Sequence, residues 1–157
     1  MNRKLISLKK AKEIRARLRK QKKKLVFTNG CFDIVHVGHV RYLKAARRLG
    51  KVLLIGLNRD LSVRRLKGKG RPINSERERA EVLAALECVD YIVLFSEDTP
   101  RRLIAELLPD VLVKGSDWQR GQIVGEEIID QHGGKVRRIK LAKGFSTTNM
   151  IKKIQRA

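Results

Sequence analysis

Residues 25–49 read LVFTNGCFDIVHVGHVRYLKAARRL, and this stretch decides the fold. Leu25-Val26-Phe27-Thr28 is an apolar β-type run, and Asn29-Gly30-Cys31 is a glycine turn. A loop carrying Asp33, His36 and His39 then leads into a helical pattern over residues 40–49. A strand end, a turn and a helix start thus fall within a few residues, with two histidines at the junction. In an open α/β sheet, ligands sit where strand C-termini meet helix N-termini. The free N–H groups and the positive dipole end found there favour phosphate.

Working outward, Gly50 is a natural helix end. Residues 52–57 form a continuous apolar run, as expected for a strand buried on both faces. Asn58-Arg59-Asp60 follows it, then the basic, glycine-rich loop Lys67-Gly68-Lys69-Gly70-Arg71-Pro72. Ser75 and Glu78 make a capping box, opening a helix whose apolar face reads Val82, Leu83, Leu86 and Val89. Residues 91–95 are the next strand. Thr99-Pro100 reads as N-cap and first residue of another helix, which Pro109 ends. Residues 111–114 form a short strand leading into Gly115-Ser116-Asp117-Trp118. A helix over 123–131 ends at Gly133-Gly134, and 136–141 is a fifth strand. Gly144-Phe145-Ser146-Thr147-Thr148 then opens a terminal helix with Met150, Ile151 and Ile154 inward. Strands alternate with helices throughout, which is the pattern of a parallel sheet covered on both faces with right-handed crossovers.

The 157 residues suit one domain with a proper core, and the 42% hydrophobic content argues against disorder. No apolar run approaches the ~20 residues of a membrane helix, and the basic N-terminus lacks the apolar stretch of a secretory signal. Cys31 and Cys88 lie far apart in different contexts, which reads as reduced thiols and a cytoplasmic location. The net charge is +21; residues 1–24 hold twelve Lys/Arg against Glu13 alone, a net +11. Ser7 caps a helix there, and Leu8, Ala11, Ile14 and Leu18 form one apolar stripe that packs on the domain. The division expected is a basic helix over 1–24 and a catalytic domain over 25–157. Such charge attracts polyanions, and nucleic acid is a partner that the basic helix allows. It is not favoured, because no nucleic-acid motif is present and aromatics for stacking bases are few.

His36 and His39, three apart at a helix start, can face one ligand and donate to phosphate oxygens. Gly38 between them lets the backbone approach closely. A packed histidine pair and a zinc site are the alternatives; zinc wants three or four ligands, and only His132 and the two cysteines remain as candidates. Lys44 by itself is a surface lysine, but its position in HxGHxxxxK brings a phosphate contact into view. Ser146 and Thr147 put consecutive hydroxyls at a helix start, a second anion site beyond an ordinary N-cap. Lys114, Gly115, Asp117 and Trp118 follow a strand and can border a nucleobase, with core packing as the alternative for Trp118. Asp60 suits a ribose, a sugar hydroxyl or magnesium, or else a helix cap. No GxxxxGK[ST], GxGxxG or GxSxG occurs, so P-loop, dinucleotide and serine-hydrolase chemistries are not indicated.

Taken together, the HxGH with its preceding turn and the downstream Ser-Thr-Thr resemble the nucleotidyltransferase superfamily of cytidylyl- and adenylyltransferases. TNGCFDIVHVGHVRYLKAAR, RLKGKGRPIN, ERAEVLAAL, CVDYIVLFSEDTP, PDVLVKGSDW, IVGEEI and GFSTTNMI follow in order over about residues 25–155. The set resembles the adenylyltransferase domain of bacterial ADP-heptose synthesis, in its stand-alone form. The resemblance implies a Rossmann-like, doubly wound, five-stranded parallel sheet of cytidylyltransferase type. It implies a reaction of ATP with D-glycero-β-D-manno-heptose 1-phosphate, with Mg²⁺ carried mainly by the phosphates, and it leaves a homodimer open. It assigns His36, His39 and Lys44 to the reacting phosphates. Thr28, Gly30, Phe32 and Asp33 go to the nucleotide-binding turn, Lys114, Gly115, Asp117 and Trp118 to the adenine, and Ser146 and Thr147 to the β- and γ-phosphates. Asp60, Lys67 and Arg71 go to the acceptor. Arg59 stands where the family usually has Ser, and Ser116-Asp117-Trp118 where it has Gly-Asp-Tyr; an acid and an aromatic are kept, and the first change bears on the sugar. A glycerol phosphate cytidylyltransferase or a FAD synthetase of archaeal type is the alternative within the superfamily.

Overall fold

The computed structural model describes residues 3–119, 121–140 and 147–156. Five strands, β1 (Leu25–Gly30), β2 (Val52–Asn58), β3 (Tyr91–Phe95), β4 (Val111–Gly115) and β5 (Lys135–Ile139), form one sheet in the order β3-β2-β1-β4-β5, every pair parallel. Seven helices are described: α1 (Leu8–Lys20), α2 (Val37–Arg47), α3 (Asp60–Lys67), α4 (Glu76–Ala85), α5 (Arg101–Leu107), α6 (Glu126–Gln131) and α7 (Thr147–Gln155).

The period-two alternation of the strands divides the core in two. Val26, Leu53, Ile55, Leu57, Ile92 and Val113 turn to one face, where Tyr42, Leu43 and Ala46 of α2 and Ala80, Leu83 and Ala84 of α4 cover them. Leu25, Phe27, Leu54, Val93 and Leu112 turn to the other, under Ala11, Ile14 and Leu18 of α1, Leu103, Ile104 and Leu107 of α5, and Ile129 of α6. Both faces are therefore dry, which is why the central strands read as unbroken apolar runs. The stripe on α1 packs as expected, and Ser7 caps that helix by accepting from the Lys10 N–H. A partly buried ion pair, not foreseen, also holds it: Arg15 grips the Asp110 carboxylate at 2.6 and 3.0 Å, and the same carboxylate accepts from the Leu25 N–H at 2.7 Å.

Several expectations are corrected. Helix α2 begins at Val37, not near residue 40, and a short helix, α3, occupies the stretch after β2. The capping box at Ser75 forms, but α4 ends at Ala85; Val82 is exposed while Arg79, Ala80 and Ala84 are buried. Leu83 and, beyond the helix, Val89 are buried as expected, and Ala80, Ala84 and the long Arg79 complete the inner side of α4 in place of Val82. Pro100 is the N-cap of α5 rather than its first residue. On α7, Ile154 is 69% exposed and no residue is buried, so its apolar stripe is not part of the core. Among the described residues, no helix is long and apolar enough to cross a membrane.

Candidate active site

Strands β1 and β4 are neighbours although the chain winds outward from β1 to β2 and β3 on one side and from β4 to β5 on the other. Their C-terminal ends are thus the point where the winding reverses, and loops leave it in opposite directions to open a crevice. The turn after β1 forms one wall. Its backbone is tight: Phe32 is in the left-handed region at φ 45°, and a Cβ on Gly30 would stand 3.0 Å from the Phe32 ring. Glycine at 30 therefore leaves room for the ring, which lies 5.2 Å from that of His39. Below the turn, the Thr28 and Tyr42 hydroxyls share a buried hydrogen bond of 2.8 Å that ties β1 to α2.

Because α2 starts at Val37, His36 is its N-cap and His39 lies in its first turn. The two rings stack, with centroids 3.9 Å apart and planes 24° from parallel. The His36 N–H donates to His39 Nδ1 at 3.4 Å. A nitrogen that accepts carries no proton, so the neutral His39 ring bears its proton on Nε2, leaving an N–H donor at the other edge. Burial, then the neighbouring His36, pushes His39 down to about 4, and burial lowers His36. Both rings are therefore neutral near pH 7 in the free protein, beside the positive end of the α2 dipole.

The opposite wall is the end of β4. Lys114 is buried, its ammonium donates to the Asn29 side chain across the β1–β4 junction, and it sits 5.7 Å from the centre of the half-exposed Trp118 ring. Burial pulls Lys114 down to about 8, with Asp117 acting against the shift. Thr147, at the start of α7, donates to the Ile34 carbonyl at 3.4 Å, which brings that helix start to the histidine loop. Ser146, expected beside it, lies outside the described residues.

Three residues expected to touch substrate are engaged inside the protein. Asp33, 1% exposed, accepts from Arg71 Nε at 2.6 Å and from the N–H groups of Ile73 and Asn74 at 2.8 and 3.0 Å. Its carboxylate is saturated by the basic loop, and the Arg71 guanidinium is held to it through Nε. Asp60, the first residue of α3, accepts from Arg79 Nη2 at 2.7 Å. Lys67 is exposed at the end of α3, near enough to the β1 turn for its charge to act on the Cys31 thiol. Lys44 is not brought to the histidines. It lies in the last turn of α2, exposed, where its charge acts on Cys88. A helix rises about 1.5 Å per residue, so Lys44 stands roughly 7 Å along the axis from His39, toward Cys88.

Arg79, Asn74, Asn29 and Tyr42 were not legible as site residues. Arg79 in particular reads as one more cation in Ser-Glu-Arg-Glu-Arg; only its place four residues after the N-cap, on the inner side of α4, marks it. A cavity of about 680 Å³ between α6 and β5, lined by Ile123, Glu126, Asp130, Val136 and Arg137 among others, reaches Ser116 but none of the histidine loop. The candidate site is therefore the switch point, where the stacked imidazoles at the start of α2 follow β1 and the buried lysine ends the neighbouring β4.

Comparison with known proteins agrees with this arrangement. The Cytidylyltransferase-like family model matches residues 27–153. The bifunctional protein HldE of Syntrophotalea carbinolica is 57% identical over 136 residues, 87% of this chain and 28% of that protein. That of Campylobacter concisus is 53% identical over 154 residues, 98% of this chain and 31% of that protein. The chain thus spans about three tenths of the length of these curated relatives. Among solved structures, the lipopolysaccharide core biosynthesis protein of Thermoplasma volcanium superposes with a TM-score of 0.63 at 31% identity, covering 78% of this chain and 99% of that one. The pantoate-β-alanine ligase of Francisella tularensis shares the fold alone, with a TM-score of 0.60 at 16% identity, covering 98% of this chain and 79% of that one.

Proposed function

Since the chain belongs to the cytidylyltransferase-like family of nucleotidyltransferases, we propose that it joins ATP and D-glycero-β-D-manno-heptose 1-phosphate to give ADP-heptose and pyrophosphate. The observation that carries the reading is the stacked, neutral His36–His39 pair in the first turn of α2, in a chain 57% identical to an HldE protein. The likeness to a lipopolysaccharide core biosynthesis protein supports the sugar-phosphate acceptor.

An oxygen of the acceptor phosphate attacks the α-phosphorus of ATP in line. The new P–O bond forms as the bond to the bridging oxygen breaks, and pyrophosphate leaves with that electron pair. A phosphate monoester is already anionic near pH 7, so no strong general base is needed. Positioning and charge stabilisation do the chemistry. His39 donates its Nε2–H to the phosphoryl oxygens as charge builds, and the N–H groups of the first turn of α2 add their dipoles. Thr147 at the start of α7, and Ser146 before it in the sequence, receive the β- and γ-phosphates; Gly115, Asp117 and Trp118 border the adenine; Lys67 meets the acceptor phosphate. Among the described residues, no three His, Cys, Asp or Glu side chains come together as a metal cage. A divalent cation, Mg²⁺ in this reading, would be carried mainly by phosphate oxygens and water, as is usual for that ion, and would neutralise charge on the triphosphate. ATP and the sugar phosphate are both water-soluble, which suits a cytoplasmic reaction.

The test is pyrophosphate release from each NTP with a panel of phosphorylated acceptors. Turnover with ATP and heptose 1-phosphate is expected. Turnover confined to CTP with glycerol 3-phosphate, or to ATP with FMN, overturns the acceptor assignment and keeps the family.

A further inference from the structure

Arg79 is the largest fully buried side chain among the described residues, and its three donor nitrogens go to three different segments. Nε donates to the Asn74 carbonyl at 3.0 Å, Nη1 to the Cys31 carbonyl at 2.5 Å, and Nη2 to Asp60 at 2.7 Å. It thereby joins the basic loop, the turn after β1 and the start of α3. A second tie of opposite polarity lies beside it. Asp33, on the turn after β1, collects Arg71 and the Ile73 and Asn74 N–H groups, and the Asn74 side chain returns a hydrogen bond to the Asp33 carbonyl at 2.7 Å. The residues between α3 and this anchor lie in the open, apart from the Gly68 N–H, which caps α3 on the Arg64 carbonyl at 2.9 Å. Gly68 and Gly70 are at φ 90° and 84°, nothing lies within 4 Å of where a Cβ would stand on either, and residues 64–70 are exposed. The course of that segment is therefore set from its two ends: α3, whose first residue Asp60 is held by Arg79, and residues 71–74.

We propose that Arg79 is a positioning residue for the acceptor: it pins the start of α3 and residues 71–74 to the turn that leads to His36, so that Lys67, at the end of α3, and the glycine loop stand at the rim of the crevice where the acceptor phosphate enters. This rests on the reading of the chain as a sugar-phosphate nucleotidyltransferase. It goes beyond that reading in naming what orders the acceptor side of the cleft separately from the ATP side. The turn also carries Cys31, whose thiol is pushed up by burial, with the charges of Lys67, Arg79 and Arg71 acting against that shift. A guanidinium suits the task because its donors fan out in one plane toward separate acceptors. A lysine ammonium is a point charge on a flexible stem and cannot span the three segments.

The experiment compares Arg79→Met, Arg79→Lys and the milder Asn74→Ala with the wild type. It reads KM for each substrate, kcat, and hydrogen exchange at the Ile73 amide. We expect KM for the acceptor to rise at least about ten-fold in both Arg79 variants, with KM for ATP within about two-fold, because a loop misplaced by an ångström loses alignment for the group it carries. Lysine should fail to rescue, Asn74→Ala should give about a three-fold rise on the same reasoning, and the Ile73 amide should exchange faster in all three. If the Arg79 variants do not fold, Asn74→Ala decides. A folded variant in which both KM values rise together, or neither moves, overturns the proposal by reducing Arg79 to a core ion pair. Should the wild type use another phosphorylated acceptor, the heptose reading falls while the same KM split, measured with that acceptor, still decides the role of Arg79.

Discussion

Replacing His39 by alanine tests the site and its electrostatics in one variant. The imidazole stacks on His36 at 3.9 Å, meets Phe32 at 5.2 Å and accepts the His36 N–H at 3.4 Å. Ring contacts of this kind contribute about 0.5–1.5 kcal/mol, and a hydrogen bond of that length contributes at most about 1 kcal/mol. The variant should therefore be destabilised by roughly 1–2 kcal/mol at pH 7 and stay folded. Turnover should fall about 10²-fold or more, the scale of one lost transition-state donor. Stability carries a second signature. His39 titrates at about 4 when folded against 6.5 as a free group, so between those values the unfolded chain holds more proton. Wild-type stability is then full above pH 6.5 and is lost as the pH falls toward 4. At about 1.4 kcal/mol per pH unit, a fully buried ring would lose roughly 3 kcal/mol; its partial exposure lowers this to about 2 kcal/mol. The alanine variant has nothing to protonate there, so its deficit should shrink on acidification and nearly vanish by pH 4. Urea unfolding at pH 7.5, 5.5 and 4.2 measures the gap, and pyrophosphate release measures turnover. Near wild-type turnover in the folded variant refutes the catalytic role. A gap unchanged with pH refutes the neutral, buried imidazole.

Lys44→Ala should leave kcat and both KM values within about two-fold, as for a surface change far from the chemistry; a hundred-fold loss would return Lys44 to the phosphate site. Arg15→Met should destabilise the protein by about 2–3 kcal/mol in urea unfolding, below the ~3–5 kcal/mol of a fully buried broken pair because Asp110 is partly exposed; a loss under about 0.5 kcal/mol, the scale of an ordinary surface change, would show that α1 is not anchored there. Lys114 is held at about 8, so its ammonium is lost as the pH rises through that value. KM for ATP should then climb above pH 8, and Lys114→Gln should flatten that limb; an identical pH profile in the variant would remove Lys114 from the nucleotide side.

The βα alternation, the capping box at Ser75 and the placing of His36 and His39 at a helix start are local matters. They follow from the period of the apolar residues, from glycine and proline at the boundaries, and from side chains that reach only a few positions along the chain. That much the sequence by itself determined, together with the motif order on which the family resemblance rests. The tertiary structure decided what each polar group meets. Strand order is a set of contacts between distant segments, and only the pairing of β1 with β4 puts Asn29 against Lys114 at the switch point. Asp33, Asp60 and Arg71 look like substrate ligands in the sequence because each is a charged residue on a loop at the correct edge. In the fold they find partners about 20 to 40 residues away and become the frame of the site. A charge cannot reveal from its own neighbourhood whether it faces solvent or a buried counter-charge. For the same reason Arg79, an ordinary cation in a basic stretch, becomes the residue on which three loops converge.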